Sequence, residues 1–349
     1  MGLGNGKADA RSKATSKKKN HKYKEAYKTK RGRMLVGRIE NVLSSRAASP
    51  LRGKVNLIFT SPPFPLVRKK RYGNETGQDY IRWLEDLAPR LCELLADDGS
   101  IVMEIGNSWE PGVPVMSTLG LEALLAFKKA GGLHLSQHII CHNPARLPSP
   151  AQWVNVARER LKDSFTHVWW MSKAQHPKAD NRNVLLPYSS HMKGLLKAKK
   201  YNSGVRPSGH VISKKGFLTD HGGAIAPNVI SLQDGSATLP EALLKFSGTS
   251  SDNRYREYCD SHGFETHPAR MQMGLATFFI QFLTKPGDIV FDPFGGSNTS
   301  GYAAENLKRR WISVEAREEY ALGSKGRFDS KALSRRTNAK KSTPRRKLA

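Results

Sequence analysis

Residues 288–307, DIVFDPFGGSNTSGYAAENL, constrain the fold more than any other stretch of the chain. A short apolar run with the character of a buried strand ends at Asp292. Gly295 and Gly296 follow, and helix-forming residues resume at Thr299. Adjacent glycines let the backbone turn tightly between strand and helix and approach a neighbour closely. Ser297, Asn298 and Thr299 are placed to cap the helix. A second strand-like run, RWISVE at 310–315, follows the helix and ends in Glu315, 23 residues beyond Asp292. Strand, loop, helix and strand in that order predict a βαβ unit with parallel strands.

The same alternation covers most of the chain. KVNLIF (54–59), SIVMEIG (100–106), LHLSQHII (133–140) and FTHVWWMSK (165–173) read as strands. Helical spacing of apolar residues predicts helices over 78–96, about 117–130, about 268–284 and about 299–308. Asp97-Asp98-Gly99 stands as the stop signal of the first. The fold class is therefore α/β, a mainly parallel sheet with helices on both faces. Residues 174–264, rich in Gly, Ser, Asn, Pro and Lys, read as an irregular inserted region.

Charge is distributed unevenly. The chain of 349 residues carries a formal net charge of +27. Residues 1–33 hold twelve Lys/Arg against two acids, and residues 325–349 hold ten against one. Both stretches lack the apolar residues that offset ordering entropy and read as disordered basic arms. A polyanionic partner is the expectation, with the arms adding a salt-sensitive, sequence-independent attraction. Cys92, Cys141 and Cys259 are widely spaced, which argues against a disulfide framework or a zinc site and fits a reducing cytoplasm. His138, Cys141 and His142 lack a fourth ligand at metal spacing, so no metal is expected. No secretory leader is readable, and the longest apolar stretch, near 273–283, is too short to cross a bilayer.

The glycine loop matches neither G-x-G-x-x-G nor G-x-x-x-x-G-K-[ST], which weakens a dinucleotide or phosphate-cradling role. An acid at the position of Glu315 suits both hydroxyls of a ribose. S-adenosylmethionine has a ribose and adenine and no phosphate. An ordinary strand-to-helix turn with Glu315 exposed is the bland alternative.

Another stretch, FTSPPF at 59–64, ends a strand in two prolines and an aromatic, with the basic run Arg68, Lys69, Lys70 and Arg71 just beyond. With TSPPF (60–64) preceding FDPFGGSNTSG (291–301), and HPAR (267–270) upstream of the glycine loop, the chain resembles the β-class amino methyltransferases of DNA. It is most similar to their cytosine-N4-specific members, in SPPFPLVRKKRYGN (61–74), LPSPAQWVN (147–155), VWWMSK (168–173), RPSGH (206–210) and GGAIAPN (222–228). The resemblance covers roughly residues 34–325. It implies a Rossmann-like S-adenosylmethionine-dependent methyltransferase fold with an inserted DNA-recognition region. Residues 34–173 would be the catalytic half, 174–264 the recognition insert and 265–324 the cofactor-binding half, between arms 1–33 and 325–349. His267 and Ala269 would close over the methionine part of the cofactor, beside Asp292, Phe294 and the loop residues. Arg38 stands where the class usually has Asp, with Glu40 or Asn41 as substitutes near the adenine. The resemblance also implies double-stranded DNA as partner, with or without a companion restriction endonuclease, and a monomeric, DNA-associated cytoplasmic protein.

Methyl transfer to an exocyclic amine needs acceptors for the amine hydrogens and a surface for the flipped base. Proline has no N–H, so the Ser61-Pro62-Pro63 turn presents carbonyl oxygens without competing donors. The Ser61 hydroxyl and the Pro62 carbonyl are the expected acceptors, Pro63 fixes the turn, and Phe64 stacks on the base. A structural turn with Phe64 in the core is the alternative. No cysteine follows a proline here, which excludes the thiolate-addition route to cytosine C5. Ser61 at the first motif position favours cytosine N4 over adenine N6. An RNA substrate and a catalytically silent DNA-binding protein complete the alternatives. Arg206, His210, Lys214 and Lys215 are the candidates for groove or phosphate contacts in the insert, with the 68–71 run beside the site. Of Trp169 and Trp170, one is expected in the core and the other is a candidate contact for the flipped base.

Overall fold

The structure, a computed structural model, describes residues 23–64, 77–214, 216–231 and 248–329. A nine-stranded sheet organises it: β1 (Tyr23–Lys28), β2 (Gly32–Gly37), β3 (Val55–Thr60), β4 (Leu95–Gly106), β5 (His134–His142), β6 (Phe165–Ser172), β7 (Val229–Ser231), β8 (Ile289–Asp292) and β9 (Arg310–Glu315). Their spatial order is β1-β2-β9-β8-β3-β4-β6-β5-β7. The five strands from β2 to β4 are mutually parallel, β6 runs antiparallel to both its neighbours, β7 is parallel to β5, and β1 is antiparallel to β2.

Eight helices accompany the sheet among the described residues: α1 (Ile39–Leu43), α2 (Gly77–Cys92), α3 (Leu119–Ala130), α4 (Ser190–Ala198), α5 (Gly248–His262), α6 (Met273–Leu283), α7 (Thr299–Asn306) and α8 (Glu318–Ser324). Strand alternation sends successive side chains to opposite faces. Ile58, Ile101 and Met103 therefore join a core with α1, α2 and α3, while Leu57, Phe59 and Val102 join another with α6 and α7. Phe59 and Phe279 stack there at 5.7 Å. None of these helices is long and apolar enough to cross a membrane. The three cysteines are buried and unbridged.

Several predicted boundaries move. The arm predicted over residues 1–33 is wrong from residue 23 onward, because β1 and the start of β2 form an edge of the sheet. Tyr27 explains why: its ring is buried, and its hydroxyl bonds Ser324 Oγ at 2.6 Å and accepts from Asn298 Nδ2 at 2.9 Å. The arm predicted over 325–349 likewise begins too early. Arg327 is fully buried and Phe328 stacks on Trp311 at 5.2 Å. The predicted insert contributes β7 to the sheet and α5 to the side of the cofactor loop. The first long helix ends at Cys92 rather than near Gly99, because Leu95 already pairs with Val55 and a Cβ on Gly99 would lie 2.8 Å from the Val55 carbonyl. Residues 1–22, 65–76, 215, 232–247 and 330–349 lie outside the described residues.

Arg327 is the main tie between the C-terminal turn and the glycine loop. Its Nε donates to the Ser297 carbonyl at 2.6 Å, and its Nη2 donates to Asp252 Oδ1 at 2.8 Å and Ser297 Oγ at 3.0 Å. Its guanidinium also lies over the Tyr255 ring, 5.1 Å from the centroid. Breaking a buried ion pair from one side costs about 3–5 kcal/mol. Arg327→Met is expected to lower unfolding free energy by about that amount in a denaturant titration, and an unchanged midpoint would refute the docking.

Candidate active site

The carboxyl ends of β3 and β8 are neighbours at the middle of the sheet, where open α/β sheets bind ligands. Each of the two sequence motifs begins at one of them. Thr60, the last residue of β3, donates its hydroxyl to Asp292 Oδ1 at 2.8 Å. Phe294 N donates to the same oxygen at 3.0 Å, and the Ser300 hydroxyl donates to Oδ2. Burial pushes the Asp292 carboxyl above the ordinary carboxylate range, and these donors partly offset it. Asp292 thus ties the Ser-Pro-Pro-Phe turn to the glycine loop.

A cavity of about 690 Å³ opens over this junction. Ser61, Pro62, Pro63 and Phe64 form part of its wall, together with Asp292, Phe294, Gly295, Gly296, Ser297, Thr299 and Glu315. His267 and Ala269 reach the same cavity from the segment before α6. That segment, 268–272, was predicted helical. It is irregular, bending at 268–269, and the helix starts at Met273.

The loop geometry follows from its composition. Gly296 has a φ of +49°, and a Cβ there would come within 3.2 Å of His267 Nε2. His267 Nδ1 is 2.6 Å from the Ala269 carbonyl, and its ring meets Tyr320 edge-on at 4.7 Å. Glu315 is buried, which raises its carboxyl. Its Oε2 accepts from Gly296 N at 2.8 Å and its Oε1 from Arg317 N at 2.9 Å. An exposed Glu315 in an ordinary turn is excluded.

Asn298 departs from expectation. It occupies the N-cap position of α7 with φ 55°, yet its side chain makes no cap bond. The amide instead donates to Tyr27 and accepts from Ser313 Oγ at 2.7 Å, away from the cavity wall. Its Oδ1 would lie 2.2 Å from a Cβ on Gly301, so that glycine makes room for it. Asn298 is a brace for the loop.

These residues fit S-adenosylmethionine. Glu315 suits a ribose, and Phe294 and Trp83, with rings 5.4 Å apart, suit a flat base. Glu40, one of the two expected substitutes, lines the cavity and accepts from Trp83 Nε1 at 2.8 Å. Burial acts to raise its carboxyl, but the bonds from Trp83 and Arg38 outweigh that and hold it low. Asn41 does not line the cavity. The fully buried Tyr80 hydroxyl, also in the wall, has no hydrogen-bond partner among the described residues, as a group awaiting a ligand would. Asp252 and Arg270, paired with each other at 3.1 Å, bring one charge of each sign to the wall.

Glu104 escaped the sequence reading. It interrupts the apolar run SIVMEIG, and that interruption was the available signal. It lines the cavity beside Ser61, whose hydroxyl donates to the Glu104 carbonyl at 3.3 Å. Its carboxyl accepts from Thr166 Oγ1 at 2.9 Å, and enclosure pushes it above the ordinary range. Trp169 and Trp170 are both buried, in opposite cores, and neither lines the cavity. Arg206 and His210 flank a turn joining the short strands Gly204–Val205 and Val211–Ile212, with Lys214 exposed just beyond. None of the three lines the cavity. Arg68, Lys69, Lys70, Arg71 and Lys215 lie outside the described residues. No cluster of metal-binding side chains exists among the described residues.

A carboxyl raised by folding binds more protons folded than unfolded, so its contribution to stability falls as pH rises. Glu104→Gln is therefore expected to raise the thermal midpoint at pH 7.5. The gain should shrink as pH falls toward the ordinary glutamate value of 4.5. A variant no more stable than the parent at pH 7.5 would contradict the raised carboxyl.

Comparison with known proteins agrees with this geometry. A family model described as DNA methylase matches residues 55–325. The type II methyltransferase M.PvuII of Proteus hauseri is 40% identical over 307 residues, spanning 87% of this chain and 86% of that protein. A solved structure of the PvuII DNA methyltransferase, described as cytosine-N4-specific, superposes with a TM-score of 0.66 at 31% identity, covering 91% of this chain and 93% of that one. With the glycine loop, the Ser-Pro-Pro-Phe turn and one cavity joining them, the chain belongs to the DNA methylase family.

Proposed function

We propose that this protein transfers a methyl group from S-adenosylmethionine to the N4 amine of a cytosine flipped out of duplex DNA. The observation that carries this reading is the shared cavity. Acceptors from one strand end and a nucleoside-binding loop from the next face the same space. The similar PvuII DNA methyltransferase is cytosine-N4-specific, which supports the choice of base.

The bound cofactor supplies a methyl group already activated by a sulfonium. The protein must make the amine receptive. The cytosine N4 lone pair is delocalised into the ring, so the nitrogen has to become tetrahedral as it attacks. Ser61 Oγ and the Pro62 carbonyl accept the N4 hydrogens and favour that geometry. The bond from the Ser61 hydroxyl to the Glu104 carbonyl turns the serine lone pairs toward the incoming amine. Phe64 offers its ring to the base, worth about 1–3 kcal/mol. As N4 gains its bond to carbon, one N–H proton must leave. It passes to Glu104, in the cavity wall beside Ser61, once the methylated amine has left its two acceptors, and the raised Glu104 carboxyl makes it a better base than an ordinary glutamate.

The protein acts as a monomer on double-stranded DNA in this reading. A companion restriction endonuclease for the same site would need no contact with it. Arg206, His210 and Lys214 stand outside the cavity, as residues gripping the duplex should.

Incubating the protein with labelled cofactor and unmethylated duplex DNA, then identifying the labelled nucleoside by mass, tests the reaction. N4-methylcytosine is expected, and N6-methyladenine would overturn the base assignment. Ser61→Ala should lower single-turnover methylation by about 10²-fold, the scale of a positioned acceptor, while cofactor binding persists. Equal loss of both would remove Ser61 from the chemistry.

A further inference from the structure

The loop between β5 and β6, residues 143–164, is not used by the chemistry above. Asn143 and Arg146 at its start line the cavity. The next residue, Leu147, is 81% exposed. A single exposed leucine is ordinary on a protein surface; this one is set apart by its place directly after a residue of the cavity wall. The backbone that presents it is firmly held. Asn143 Oδ1 accepts from Ala145 N at 3.1 Å, and Arg146 Nη1 donates to the Phe165 carbonyl at 3.0 Å. Lys162 Nζ donates to the Pro144 carbonyl at 2.7 Å, closing the loop on itself. Pro144, Pro148 and Pro150 each fix a φ angle around the leucine. The loop is therefore an apolar tip on a stiff base, flanked by cations, at the edge of the cavity.

Resting on the reading that a cytosine enters this cavity, we propose that Leu147 is the wedge that takes the place of that cytosine in the duplex stack. Apolar side chains inserted between base steps unstack them at a cost of a few kcal/mol, and a flipped base leaves an apolar gap that must be filled. The cations Arg146 and Lys162 set phosphates beside the tip. Leu161 is also exposed, at 91%, but neither Arg160 nor Lys162 on either side of it lines the cavity. Leu147 is thus a positioning residue. It acts on where the base lies and touches neither the cofactor nor N4.

The test compares single-turnover methylation of two duplexes by the parent protein, Leu147→Ala and Leu147→Met. In one duplex the target cytosine is paired with guanine; in the other it faces an abasic site and flips without breaking a pair. Leu147→Ala is expected to be tenfold or more slower on the paired duplex and within about twofold of the parent on the abasic one, with Leu147→Met close to the parent on both. Equal loss on both duplexes, or no loss on the paired one, would overturn the wedge. Weakened cofactor binding or a lowered thermal midpoint in Leu147→Ala would instead assign the leucine to intramolecular cover and overturn it too. If the parent labels cytosine in neither duplex, the reading of the reaction fails, and the wedge with it.

Discussion

One buried carboxylate holds the two working parts of this molecule in register. Asp292 ends the central strand β8 and accepts from Thr60 at the end of β3, from the loop backbone at Phe294 N, and from Ser300 at the start of α7. A buried carboxylate is stable only when its acceptor sites are filled. Three donors from three elements therefore converge on it, and each fixes its element. The Ser-Pro-Pro-Phe turn starts one residue after Thr60 and the glycine loop starts one residue after Asp292. The separation of these two walls of the cavity is thereby set inside the sheet, on rigid strands rather than in the loops themselves.

Around this tie the protein adds braces from residues that do not line the cavity. Asn298 locks the loop to β1 through Tyr27 and to β9 through Ser313. Arg327 locks Ser297 to Asp252 on α5, so the last part of the predicted insert supports the glycine loop from outside. The cavity itself collects groups whose ionisation is shifted by enclosure: Glu104 and Glu315 upward, Glu40 downward under its hydrogen bonds. Such opposite shifts within one cleft are a mark of a functional site.

The parts of this arrangement that were legible in the sequence are those carried by local pattern. Apolar alternation placed β3, β8 and β9 within a residue or two, and glycine chemistry located the loop, because these depend on neighbours in the chain. The resemblance in TSPPF, HPAR and the glycine loop, with the acid ending the next strand, gave part of the cavity wall: Ser61 to Phe64, His267, Ala269 and Glu315 all lie there. What escaped depends on tertiary partners. Tyr27 looked like one residue of a basic tail because its partners, Ser324 and Asn298, are about 270 or more positions away. Arg327 looked like one more tail cation because Asp252 is 75 residues upstream. Asn298 was misassigned because a cap and a brace call for the same residue type at the same position. Antiparallel β6 and the late return of β7 to the sheet follow from topology, which periodicity does not report.

Through Thr60 and Asp292 the end of β3 and the end of β8 work as one unit. Thr60→Val keeps the shape of a side chain that does not line this cavity and removes only its hydrogen bond. Single-turnover methylation and equilibrium cofactor binding, measured together on this variant, test that coupling. Both are expected to fall, methylation by the larger factor. Parent-like values for both would contradict it and leave the catalytic turn and the cofactor loop as independent neighbours.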